Sequence, residues 1–234
     1  MTKDPGNKIA RTAGGLYLIV VVTGIFSLIY VPSQLTVQGN VLATVNNIIA
    51  SESLFRLGIV SLIIDQIAFL LLPFVLYQLL QQINKKVAVL MVALAVVSVP
   101  IAMVSIAYRL DVLSLLSGAG YLETFTPAQL HAKVMLSLVA YSNGILVTSI
   151  FWGLWLLPFG YLVFKSGFLP RILGVLLMMG CFGELFDVFG TVLVPGYPET
   201  VISNFVALPS AFGEIGICLW LLIMGAGRNT PEAD

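Results

Sequence analysis

Long apolar stretches separated by short polar ones run through the whole chain. A membrane-crossing helix needs about 20 predominantly apolar residues, and six stretches meet that requirement. They cover residues 10–31, 53–80, 87–113, 131–164, 171–195 and 205–226. The pattern predicts an all-α fold, a single polytopic domain of six transmembrane helices over residues 1–234. The first stretch is too long for the apolar core of a cleavable signal peptide, so we expect it to belong to the bundle.

The connections between these stretches differ in length. Residues 81–86 and 166–170 are so short that they can only join antiparallel neighbours. The connection at residues 32–52 is longer, and some of its apolar residues recur at helical spacing. These are Val41, Leu42, Val45, Ile48 and Ile49. Two interpretations are open for this segment: an amphipathic helix on the membrane surface or at the mouth of the bundle, and an ordinary solvated loop.

Basic residues are distributed unevenly over the connections. If the N-terminus is cytoplasmic, the outer loops between spans carry no Lys or Arg. The segments on the cytoplasmic side then carry Lys3, Lys8, Arg11, Lys85, Lys86, Lys165, Arg171 and Arg228. Cytoplasmic loops of membrane proteins carry an excess of positive charge, so the distribution predicts that both termini are cytoplasmic.

The composition agrees with a chain whose solvent is the lipid bilayer. Of its 234 residues, 59% are hydrophobic and only 9% are charged, whereas a soluble domain carries about 25% charged residues. The formal net charge is zero, so no long-range attraction to nucleic acid is expected. Cys181 and Cys218 both lie in apolar stretches and form neither a disulfide framework nor a redox motif.

Charged residues also occur inside or at the ends of the apolar stretches, where an ionisable group is by default a functional hypothesis. They are Asp65, Asp111, Glu184, Asp187, Glu214, Arg56, Arg109 and Lys133. A helical rise of about 1.5 Å per residue places four acids in one layer. These four are Asp65, Glu184, Asp187 and Glu214. The three cations cannot neutralise five acids one to one, so we expect a proton or cation from elsewhere.

We expect a solute or an ion to bind at the four acids of this layer together with Arg109, Lys133 and Tyr141. Arg109 would pair with or orient the acids, and Tyr141 shares a helix face with Lys133. His131 is the only histidine, and the sequence has no His-Glu-x-x-His and no Gly-x-Ser-x-Gly motif. We therefore predict no metal centre and no cofactor, and we assign no catalytic residue.

Three segments carry a resemblance to a known family. They read ARTAGGLYL at residues 10–18, SGFLPRILG at 166–174, and Gly213-Glu214 followed by LWLLIMG at 219–225. Together they resemble an uncharacterised family of bacterial six-span integral membrane proteins, catalogued as a domain of unknown function. Arg56, Arg109 and Glu214 also stand where that family is expected to carry an Arg, an Arg and a Glu. The resemblance implies a six-span fold in the bacterial inner (cytoplasmic) membrane, and it implies no activity.

The residue chemistry predicts a transporter-, channel- or receptor-like protein. Its polar cavity would be acid-lined, face outward and take a proton, a cation or a small polar solute. Two alternatives stay open. One is an intramembrane enzyme that uses the same carboxylates, with or without a metal, on a lipid-linked substrate. The other is a structural or partner-binding membrane protein whose charges hold the helices together.

Overall fold

The structure is a computed structural model, and it describes residues 5–226. Over that range the regular secondary structure is entirely helical. Six helices are long and apolar enough to cross a membrane: Gly6–Leu35, Glu52–Leu80, Lys85–Leu115, Pro127–Lys165, Arg171–Leu193 and Val201–Ile223. The predicted all-α fold and the number of spans are therefore confirmed, and the chain is a multi-pass membrane protein. Lys3, Arg228 and both chain ends, on which the predicted orientation partly depends, lie outside the described residues.

The first span contains a π-helical segment. Helix α1 (Pro5–Gly24) is followed by a π-helix at Ile25–Tyr30 and then by α2 (Val31–Leu35). The residues at both junctions keep right-handed helical backbone angles, so the span stays continuous. Segments of π-helix are rare inside α-helices and frequently lie at functional sites. The hydrophobic pattern of the sequence did not predict this one.

The long connection after the first span contains a short amphipathic helix. Helix α3 (Val41–Ala50) begins at Asn40, whose side chain accepts a hydrogen bond from the Ala43 amide at 2.9 Å. Val45 and Ile48 are buried, whereas Leu42 and Ile49 on the opposite side are exposed. The helical interpretation of this segment is correct, and the alternative of an ordinary solvated loop is wrong.

Proline residues lie within or beside several of the remaining helices. These helices are α4 (Glu52–Leu80), α5 (Lys85–Leu115), α6 (Pro127–Lys165), α7 (Arg171–Leu193), α8 (Val201–Val206) and α9 (Leu208–Ile223). Pro73, Pro100 and Pro158 lie inside α4, α5 and α6. The sixth span breaks at Ala207, so Pro209 falls in the first turn of α9. Proline is tolerated there because its missing N–H would have no helical partner.

The chain divides into two compact units. The first unit comprises Met1–Ile19, Ala68–Val99 and Leu146–Asp234. Tyr17, Trp155 and Phe159 lie in its core and are at most 1% exposed. Helices α7 and α9 pack closely at Gly180 because glycine has no side chain. A Cβ atom there would lie only 2.7 Å from the Ser210 Cα. Small residues of this kind allow membrane helices to approach each other.

The second unit comprises Val20–Ile67 and Pro100–Ile145. Its apolar core includes Val31, Leu35, Val45, Ile48, Phe55, Ile59, Leu62, Ile106, Val112, Val134 and Tyr141. Helix α3 contributes Val45 and Ile48, so the connecting helix is part of this core. The prediction that the whole chain is one domain stays a prediction.

Candidate functional site

Asp65 on α4 is a buried acid of the second unit, and it is only 5% exposed. Its carboxylate accepts hydrogen bonds from the Thr23 hydroxyl at 3.1 Å and from the Gln66 amide at 2.8 Å. Ser61, one helical turn earlier, donates to the Thr23 carbonyl at 3.1 Å. Among the described residues no Lys, Arg or His nitrogen lies within ion-pair distance of Asp65. Its partners there are therefore neutral donors.

The π-helix of the first span begins directly after the residues that meet Asp65. Thr23 lies two residues before Ile25, and Gly24 faces Asp65, since a Cβ atom there would lie 3.5 Å from an Asp65 carboxylate oxygen. The Thr23 carbonyl accepts a second hydroxyl, that of Ser27, at 2.7 Å. The acid thus lies where the first span changes its helical register.

Arg109 on α5 is a buried cation of the same unit and is 6% exposed. Its guanidinium carbon lies 4.1 Å from the centroid of the Tyr141 ring and 5.7 Å from that of Phe55. Tyr141 is equally buried, and Asp65 is close enough to act on it electrostatically. Arg109 and Asp65 nevertheless form no ion pair. Favourable contacts between a guanidinium and aromatic faces are stronger where water is excluded.

A pocket of about 430 Å³ lies between the C-terminal end of α5 and the N-terminal part of α6. It is lined by Asp111, Ser114, Leu115, Tyr121, Leu122, Lys133, Leu136 and Ser137. The Lys133 ammonium lies 4.6 Å from the centroid of the Phe125 ring. Ser137 is one helical turn from Tyr141, or about 6 Å along the α6 axis. Both Asp111 and Lys133 are exposed, so this pocket carries one charge of each sign at its surface.

Glu184 on α7 belongs to the first unit and is half-buried. It accepts a hydrogen bond from the Ser210 hydroxyl at 2.9 Å. Asp187 lies one turn further along the same helix and interacts with it as a like charge. A Cβ atom at Gly153 would lie 2.8 Å from the Glu184 Cβ, so the glycine leaves the space that the glutamate occupies.

Glu214 on α9 is another predicted site acid of the first unit. Its carboxylate accepts a hydrogen bond from the Tyr17 hydroxyl at 2.9 Å. The Tyr17 ring is 1% exposed and lies 6.3 Å from Trp155 and 6.4 Å from Phe159, measured between ring centroids. A tyrosine with an apolar ring and a hydrogen-bonded hydroxyl fits such an interior.

Tyr197 lies outside the spans, in the short 3₁₀-helix Tyr197–Glu199. Its ring is 5% exposed and covers Gly190, where a Cβ atom would lie 2.7 Å from a ring carbon. Burial raises the pKa of the Tyr197 hydroxyl above its usual range, and the nearby Asp187 carboxylate raises it further. The neutral phenol is therefore the form that this part of the fold favours.

A family model matches residues 12–225, and its description is Domain of unknown function (DUF4386). The chain belongs to this family. The resemblance to an uncharacterised family is thereby confirmed, and the description of DUF4386 names no activity. An uncharacterized protein of Archaeoglobus fulgidus is 33% identical over 76 residues, which are 32% of this chain and 43% of that protein. The chain therefore matches less than half the length of that relative. No solved structure matches the chain.

In this DUF4386 chain the predicted site residues are divided between the two units. The second unit holds Asp65, Arg109, Lys133 and Tyr141, and the first holds Glu184, Asp187 and Glu214. Arg109 meets Tyr141, but its expected acid partner is not found among residues 5–226. Arg56 is exposed and pairs with Glu52 at 2.6 Å.

Sequence reasoning missed Gln66 and Tyr17 as partners of the buried acids. The signal for Gln66 was available, since an amide inside an apolar span adjoins Asp65 in sequence. Tyr17 meets Glu214 only through folding, because 197 residues separate the two. Nowhere in the described part of the chain do three His, Cys, Asp or Glu side chains lie together as possible metal ligands.

Proposed function

We propose that this chain is a bacterial inner-membrane protein with both termini in the cytoplasm. In this proposal it is a transporter-, channel- or receptor-like protein for a proton, a cation or a small polar solute. Its polar interior opens outward, and the carboxylates of Asp65, Glu184, Asp187 and Glu214 bind or relay protons. Arg109 pairs with or orients these acids, and Lys133 and Tyr141 take part in binding. One observation carries the proposal: Asp65 is buried in a membrane-spanning helix with neutral donors as its partners.

The free energy of a buried carboxylate favours this interpretation. Neutral hydrogen-bond donors offset only part of the cost of burying a negative charge, and the rest needs an opposite charge or a proton. The Gln66 side chain is compatible with a proton on Asp65, because its Oε1 accepts no hydrogen bond within the described residues. Half a turn of the amide exchanges Oε1 and Nε2. The same side chain can therefore donate to an ionised Asp65 or accept from a protonated one.

The acids of the first unit support the same interpretation. Ser210 donates to Glu184, and Tyr17 donates to Glu214. A tyrosine hydroxyl both donates and accepts hydrogen bonds, so Tyr17 is suited to passing a proton to and from Glu214. Asp187, one turn from Glu184 on the same helix, places a second carboxyl group beside it.

A flux measurement tests the proposal. The purified chain is placed in liposomes, and proton or sodium entry driven by a potassium diffusion potential is followed with an internal dye. We expect flux above that of empty liposomes, and its loss in Asp65→Asn, which keeps the size of the side chain. Glu52→Gln is the matched control, because Glu52 is an exposed acid paired with Arg56, and it should behave as wild type.

A receptor-like protein would bind a proton without moving it across the membrane. In that case infrared difference spectra should contain the C=O band of a protonated carboxyl group, and Asp65→Asn should remove it. Absence of both flux and band would overturn the proposal. Wild-type flux in Asp65→Asn would show that the transported ion does not use Asp65, and it would remove the observation on which the proposal depends.

A further inference from the structure

Arg109 is a cation in the interior of the second unit. Among the described residues, aromatic rings surround its guanidinium, and it has no counterion. Tyr141 and Phe55 lie against its guanidinium, and no described Asp or Glu is within ion-pair distance. Asp65 acts on Tyr141 electrostatically, but the hydrogen bonds that its carboxylate accepts come from other side chains. Aromatic faces stabilise a buried cation in part, and a charge in this position still requires an anion for full compensation.

Two hydrogen-bond donors at this place are unused. The Arg109 guanidinium lies beside the Tyr141 hydroxyl. Both the Arg109 Nε and the Tyr141 hydroxyl are buried, and neither forms a hydrogen bond of acceptable geometry with a described residue. Both side chains are only 6% exposed. A buried donor without a partner is costly, and an oxygen of a bound anion accepts hydrogen bonds from both a guanidinium and a phenol.

The geometry points to Arg109 and Tyr141 as a binding site for a singly charged oxyanion, the carboxylate of a small solute or the phosphodiester of a lipid headgroup. A single negative charge is favoured because it matches the single positive charge of the Arg109 guanidinium. The pocket that includes Ser137 lies one helical turn from Tyr141 along α6, and its lining carries Lys133 as well as Asp111. This inference goes beyond the proton or cation proposed above, since it adds a site for an anionic group, and it rests on that proposal only for the entry of a solute.

Thermal unfolding of the full chain tests the site. In detergent, sodium acetate is titrated against sodium chloride at equal ionic strength, and in nanodiscs phosphatidylglycerol is compared with phosphatidylcholine. A ligand that binds the folded state raises Tm with concentration, so acetate, phosphatidylglycerol or both should raise the wild-type Tm. A response to acetate indicates a soluble carboxylate as ligand, and a response to phosphatidylglycerol alone indicates a lipid headgroup.

Variants assign the response to the two residues. Arg109→Met should abolish it without lowering the Tm of the unliganded protein, because methionine fills the space without an uncompensated charge. Tyr141→Phe keeps the ring and removes the donor, and it should raise the apparent Kd by about tenfold or more. Arg56→Met removes an exposed cation and should keep the wild-type response.

A wild-type Tm that responds to neither acetate nor phosphatidylglycerol overturns the inference, as does a response that survives in Arg109→Met. If Arg109→Met does not fold, Arg109→Lys decides, since lysine keeps the charge and lacks the planar fork. A weaker response in Arg109→Lys supports the site, and an unchanged one overturns it. Anion binding without proton or sodium flux would contradict the proposed transport and leave the anion site supported. Flux without a Tm response to anions would contradict the anion site and leave the proposed transport supported.

Discussion

Asp65 and Arg109 are opposite charges buried in the same unit, yet each is stabilised by different neutral groups. Asp65 is held by a hydroxyl and an amide, and Arg109 by two aromatic faces. A direct ion pair would neutralise both side chains and leave little for a solute to bind. Because they form no ion pair with each other, both groups stay available for the binding that we propose.

Tyr197 gives a prediction about alkaline pH. Its folded-state pKa is raised above the usual value of 10.0 by burial and by Asp187. Its contribution to stability is therefore fully present below about pH 10 and is lost as the pH rises through the folded-state pKa. Tyr197→Phe cannot ionise, so the Tm difference between wild type and variant should be constant at neutral pH and turn against wild type at alkaline pH.

Thermal unfolding over a pH series checks this, with Tyr121→Phe as control because Tyr121 is 67% exposed. Parallel Tm curves for wild type and Tyr197→Phe up to strongly alkaline pH would contradict the assignment.

At the scale of elements, glycine determines how closely several helices approach each other. Gly160 on α6 and Gly174 on α7 face each other, and a Cβ atom on either would lie within 2.7 Å of the other's carbonyl oxygen. Gly15 on α1 has open space at the same position. Glycines at close helix contacts and glycines in open space look the same in the sequence, and only the contacts in the structure distinguish them.

Alanine substitutions test this difference. Gly174→Ala forces the new methyl group against backbone atoms of α6 and should destabilise the protein by about 1–3 kcal/mol. Gly15→Ala meets nothing within 4 Å and should be neutral or stabilising by up to about 1 kcal/mol, through helix propensity. Unfolding in graded denaturant compares the two, and equal stability of the variants would show that the α6–α7 contact is looser than described.

At the scale of the whole molecule, hydrophobicity predicts what the bilayer imposes. A span must satisfy its backbone hydrogen bonds internally, so apolar length alone predicts six helices. The π-helix at Ile25–Tyr30 escapes such reasoning because it changes hydrogen bonding without changing hydrophobicity. The partner of Arg109 escapes it for another reason. Spacing along a helix gives the face of a residue, but not the side chain that another helix places opposite.

The orientation in the membrane is the broadest prediction, and it depends on the basic residues of the connections. Single cysteines at Gln38, Glu123 and Glu199 should react with an impermeant thiol reagent added to intact cells. Cysteines at Gln82 and Lys165 should react only after permeabilisation. These positions lie on exposed or partly exposed surface and avoid Gly39 and Gly167, whose φ angles of 70° and 74° favour glycine.

The native cysteines should contribute little background, since Cys181 and Cys218 are both buried; the chain without added cysteines is the control. Removing the positive charge at Lys165 leaves most of the basic residues on the same side, so that variant should keep the orientation. If Gln82→Cys were labelled in intact cells and Gln38→Cys were protected, the topology would be the reverse of the predicted one. The proposed polar interior would then open toward the cytoplasm, and the outward-facing site would be wrong even if Asp65 binds a proton.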